Sequence, residues 1–132
     1  MTGVQTCALP IYDYPAYFFR TTFQIDSLEG VTKLEGTLEH DDAAIVYLNG
    51  KQIAAYDADG ITENLQYAGV SAGTPKTETF TVTDLELLHE GENTLAVELH
   101  NDRQTSSDIW FYLTELSLSD TEIVPEIGRA HV

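Results

Sequence analysis

The chain has 132 residues, of which 22 are acidic and 6 are Lys or Arg, for a net charge of −16. That balance disfavours nucleic-acid phosphate as a partner, and no run of apolar residues is long enough to predict a membrane span. A single cysteine, Cys7, rules out a disulfide framework within the chain.

In chain order, the two ends come first. Thr6–Ile11 reads TCALPI and Glu126–Val132 reads EIGRAHV. A DNA segment encoding the first, read on its opposite strand in a shifted frame, encodes Ile-Gly-Arg-Ala-His and the start of Val. Both ends therefore look like translated sequencing-adapter read-through. Met1–Ile11 and Glu126–Val132 are set aside as artefactual, and Tyr12–Pro125 is read as one domain of a longer natural protein.

Tyr17–Ile25 alternates, with Tyr17, Phe19, Thr21, Phe23 and Ile25 on one face and Phe18, Arg20, Thr22 and Gln24 on the other. Ser27–Gly30 is a turn. Thr32–His40 alternates again, with Leu34, Gly36 and Leu38 on the inward face. Ala43–Leu48 is apolar on both faces, as a central strand is. Asn49-Gly50 is the strongest short hairpin signal, because a type I′ turn needs positive φ at both positions. Lys51–Tyr56 returns. Asp57–Glu78 is a long polar segment. Thr79–Thr83 is a β-branched strand, and Asp84–Leu88 predicts one helical turn capped by Asp84. Asn93–His100 and Asp108–Leu118 are the last strands, with Leu95, Val97, Leu99, Ile109, Phe111 and Leu113 inward. Seven short strands without a helical period predict an all-β fold, an antiparallel β-sandwich.

If each connection reverses direction, three polar segments far apart in sequence share one end of the fold. These are His40–Asp42, Asp57–Glu78 and His100–Asp108, and the start of the first strand joins them. The rim so formed carries His40, Asp41, Asp42, Asp57, Asp59, Asn64, His100, Asn101, Asp102, Arg103, Ser106, Ser107 and Asp108. Loops gathered at one end of a rigid scaffold are a common binding place.

The stretches FFRTTFQI, DDAAIVYLNGKQI, GENTLAVELHN and SSDIWFYLTEL, in that order, resemble a jelly-roll module of the galactose-binding-like class. The resemblance covers about Tyr17–Leu116. It implies an accessory domain of a secreted or cell-surface bacterial protein, beside a glycoside hydrolase or metallophosphatase-type domain of the same chain. It also allows a structural calcium ion. The chain departs from the pattern in having Ala43 after Asp41-Asp42, where such modules carry Gly, and in having Trp110 and Tyr112.

Several chemistries fit the rim. Calcium takes six to eight oxygens, and Asp57, Asp59, Asp102 and Asp108 are the candidate ligands. Zinc could use His40, His100 and Asp41, although no local HxH or HExxH pairing is present. Catalysis is disfavoured: Asp41 and Asp42 are adjacent on an extended chain and point apart, and Ser106-Ser107 lack a nucleophile elbow. A sugar needs an aromatic platform with polar partners in reach. Trp110 or Tyr67 would stack, and Asp41, Asp42, His100, Asn101 and Arg103 would hydrogen-bond. The expected function is therefore a non-catalytic carbohydrate-binding module with a glycan or polysaccharide ligand. The rival is a docking module that packs Trp110 and Tyr112 against a neighbouring domain. Arg20 and Glu98 are expected to pair across strands.

Overall fold

The structure, a computed structural model, describes residues 16–63, 66–69, 75–101, 110–119, 121–122 and 129–131. The strands are β1 (Ala16–Ile25), β2 (Leu34–Asp41), β3 (Ala43–Leu48), β4 (Lys51–Tyr56), β5 (Lys76–Val82), β6 (Gly91–His100), β7 (Trp110–Leu118), β8 (Thr121–Glu122) and β9 (Arg129–His131). One turn of 3₁₀ helix, Leu85–Leu87, lies between β5 and β6, and the Asp84 carboxylate caps it by accepting from the Glu86 N–H.

The strands form two antiparallel sheets. One has the order β1-β6-β3-β4; the other runs β5-β2-β7-β8, with β9 also paired to β7. Alternation along each strand sends one set of side chains to a shared core. Phe19, Phe23, Val46, Leu95, Val97 and Leu99 come from the first sheet; Leu34, Leu38, Phe80, Phe111, Leu113 and Leu116 come from the second. Phe19 and Phe111 stack across the core with centroids 5.3 Å apart, a contact that adds about 0.5–1.5 kcal/mol to the burial of the two rings. Gly36 is needed here for space: a Cβ on it would lie 2.3 Å from the Phe80 ring.

The lower end is held by two asparagines. Asn49 (φ +50) and Gly50 (φ +86) make the β3–β4 turn. Asn93 is fully buried. Its amide donates to the His89 carbonyl and its Oδ1 accepts from the Asn49 amide and the His89 N–H. Asn49 Oδ1 in turn accepts from the Thr94 N–H.

The upper end is where the sequence parity places it. Ala16 and Ala43 both pair with His100, Ala44 pairs with Tyr56, and His40 pairs with Lys76 and Phe111. The chain leaves one sheet at Asp41, opposite Trp110, and joins the other at Ala43. The Asp41–Asp42 peptide at this corner is cis.

Glu126–Val132, read from sequence as adapter-derived, contributes Arg129–His131 as β9, opposite Trp110–Tyr112. β9 and β8 cover the side of β7 that β2 leaves free, and a strand edge accepts an extended segment of any origin.

Candidate functional site

The inward register of β2 runs Leu34, Gly36, Leu38, His40, and all four are buried. The inward register of β5 runs Glu78, Phe80, Val82, with Glu78 opposite Leu38. An inward-facing carboxylate thus sits beside an inward-facing imidazole: His40 Nε2 lies 3.0 Å from Glu78 Oε2. Asp57, directly after β4 and at φ +54, completes a group. His40, Asp57 and Glu78 bring one ligand atom each to within 4.8 Å of one another. Such a group can coordinate a divalent cation. Its members come from β2, β5 and the end of β4, so both sheets hold it.

The surroundings fix the imidazole. His40 Nδ1 lies 2.7 Å from the Asp42 carbonyl. A carbonyl only accepts, so Nδ1 carries hydrogen and Nε2 faces the carboxylates. Tyr56 stacks on the ring, 5.5 Å between centroids and 24° between planes. The Tyr56 hydroxyl oxygen is buried and has no hydrogen-bond partner among the described residues. Burial, and then the charge of Glu78, raise its pKa above the ordinary phenol value. The Lys76 ammonium donates to Asp57 Oδ2 at 2.7 Å. That hydrogen bond holds the lysine proton above its usual range, although Lys76 is exposed.

His100 has its own partners. Nδ1 donates to the Gln66 carbonyl at 2.6 Å, and Nε2 lies 2.8 Å from Glu98 Oε1. The Tyr47 hydroxyl donates to Glu98 Oε2 at 2.9 Å. Burial raises the Tyr47 pKa first, followed by this hydrogen bond and the Glu98 charge. The Ala68 N–H donates to the Asn101 carbonyl at 2.7 Å. His100 and Asn101 therefore tie part of the long loop to the end of β6, and half-buried Tyr67 lies between the tied residues.

The residues expected at the rim are placed as follows. Asp41 and Asp42 are buried at the corner between the sheets and engaged within the chain. His100 and Asn101, at 0% and 2% exposure, are buried too. Asp57 joins His40 and Glu78, whereas Asp59 is exposed and outside that group. Arg103, Asp102 and Asp108 lie outside the described residues, as do Ser106 and Ser107. Trp110 is described in its backbone only. His40 and His100, considered together for zinc, each take a separate carboxylate. The expected Arg20–Glu98 pair does not form. Glu98 stands opposite Phe18, and its two oxygens serve His100 and Tyr47.

A second feature lies on the outer face of the β1-β6-β3-β4 sheet. Phe18, Arg20, Tyr47, Thr94, Ala96 and Glu98 line a groove of about 400 Å³. Ala96 stands between Arg20 and Tyr47 in one cross-strand row, and its small side chain leaves a low floor between two long ones. Phe18, 54% exposed, is the exposed large hydrophobic residue among those described. Arg20 makes no ion pair or hydrogen bond among the described residues.

Sequence reasoning did not find Glu78 or this groove. Glu78 shows itself once alternation is extended back from Val82 through Phe80. Phe18 and Arg20 were assigned to the outward face, but their neighbours depend on a strand order that is not the chain order.

No protein-family model matches the chain, and no curated protein matches it.

Proposed function

We propose that the chain is a non-catalytic carbohydrate-binding module, a jelly-roll-like pair of sheets carried by a larger secreted protein. The glycan lies in the groove on the β1-β6-β3-β4 face. The observation that carries this reading is an exposed aromatic ring beside a cation without a partner among the described residues: Phe18 and Arg20. A pyranose has a flat C–H face that stacks on an aromatic ring and an equatorial fringe of hydroxyls that needs donors and acceptors. Phe18 and Tyr47 supply rings, Arg20 donates, and Thr94 accepts. The Ala96 floor admits a ring between Arg20 and Tyr47.

The same reasoning moves the ligand off the rim. Asp42, His100 and Asn101 are buried, and His100 already uses both ring nitrogens. A net charge of −16 repels acidic polysaccharides, so the ligand is a neutral glycan.

A glycan array tests the proposal. Binding to neutral glycans is expected, with Phe18→Ala and Arg20→Ala each weakening it by about tenfold or more. Both side chains are exposed, so the melting temperature should stay within a few degrees of wild type. An array without hits, or hits unchanged by both substitutions, contradicts the reading. If Phe18 serves instead to dock a neighbouring domain, the array gives no hits.

A further inference from the structure

We infer that His40, Asp57 and Glu78 form a binding site for a first-row transition-metal ion of the zinc class, and that Lys76 holds Asp57 until the ion arrives. The inference is independent of the carbohydrate reading. His40 Nδ1–H is committed to the Asp42 carbonyl, which leaves Nε2 facing a carboxylate oxygen 3.0 Å away. An imidazole that donates one N–H to a backbone carbonyl and turns its other nitrogen toward carboxylates has the orientation of a supported metal ligand.

The donor set selects the metal. One imidazole nitrogen and two carboxylates suit zinc and its neighbours, which take three protein ligands and an exchangeable water. Calcium, which the family resemblance allows, takes six to eight oxygens. One nitrogen and two carboxylates do not fit that demand.

Distances agree. Ligand atoms around tetrahedral zinc stand roughly 3.3 Å apart, given bond lengths near 2.0–2.2 Å. The His40–Glu78 separation is already close to this. Asp57 must move in by about 1–1.5 Å at most, given the 4.8 Å limit of the group. Its restraint is the Lys76 bond, which is partly exposed and therefore weak.

A second observation points into the same place. The buried Tyr56 hydroxyl lacks a partner among the described residues, and its ring lies on His40. The charge of Glu78 also acts on that hydroxyl. The inward register of β5 otherwise continues with Phe80 and Val82, so Glu78 is its polar member beside His40.

The test is titration calorimetry of the full chain, stripped with chelator, against ZnCl₂ and CaCl₂, together with the absorption spectrum of the Co²⁺-loaded protein. One equivalent of zinc should bind, with a low-symmetry cobalt spectrum and no calcium heat. Glu78→Gln and Asp57→Asn each remove a ligand and should weaken zinc by more than the roughly 10–100-fold that follows loss of a supporting partner. Lys76→Met should tighten it several-fold. Cys7 and the other histidines remain in every variant, so uptake through them would not respond. Absence of zinc binding overturns the inference, as does zinc uptake indifferent to both substitutions. Calcium binding that equals zinc and depends on the same residues overturns the choice of metal. Should Glu78→Gln lower the melting temperature, the Asp57→Asn result decides, because Asp57 lies outside the strands.

Discussion

Two side chains show how much rests on single polar groups. Asn93 is buried with its amide fully used, and it joins the β3–β4 turn to the segment after the 3₁₀ turn. Removing a buried partner costs the desolvation of the groups it leaves behind. Asn93→Ala should therefore lower stability by about 1–3 kcal/mol in urea denaturation, with the Asn49 amide and His89 backbone left short. Tyr47, like Tyr56, acts on the alkaline side. Its phenol is held protonated in the folded state by burial and by Glu98. The folded chain then holds a proton that the unfolded chain releases near pH 10, so stability is full below that value and falls as pH climbs through the raised pKa. Tyr47→Phe should flatten this alkaline loss, read as the denaturation midpoint against pH. A midpoint that falls equally steeply in the variant would assign the loss elsewhere. Asn49-Gly50 was legible because its chemistry is local. Asn93 was not, because its partners lie on other turns.

Elements reveal a different limit. The two central strands, β3 and β6, read correctly from their apolar patterns, and the β3 and β4 boundaries match the structure. β5 is the instructive case. Sequence placed its start at Thr79, where β-branched residues begin, whereas pairing with β2 starts at Lys76. A strand paired on one side mixes charged and apolar residues in its inward register, so Lys76 and Glu78 looked like loop. That boundary hid the third member of the candidate metal group. Close packing between neighbouring strands of one sheet is also an element-scale property. Phe80 of β5 lies over Gly36 of β2, and Gly36→Ala forces the ring aside. A loss of about 1–3 kcal/mol is expected, and a paired Phe80→Leu substitution should recover part of it. If Gly36→Ala alone is neutral, the ring has room that the structure does not give it.

For the whole molecule, parity was enough to gather the polar segments at one end, since antiparallel connections reverse at every turn. It could not say which strands are neighbours. The order β1-β6-β3-β4 brings Phe18, Tyr47 and Glu98 together from three separate stretches, and no local pattern encodes that. Nor could it separate an exposed rim from a buried one. Asp42 and His100 sit at the corner and the strand end, so these two described rim residues serve the rim's own architecture. On the proposed reading, binding falls to the open sheet face, and the −16 charge favours neutral sugars. The most direct measurement of this account is chemical-shift mapping on isotope-labelled protein titrated with a neutral oligosaccharide. The account predicts shifts concentrated at Phe18, Arg20, Tyr47, Ala96 and Glu98. Shifts confined to Tyr67 and Asn101, or none with any neutral oligosaccharide, would contradict it.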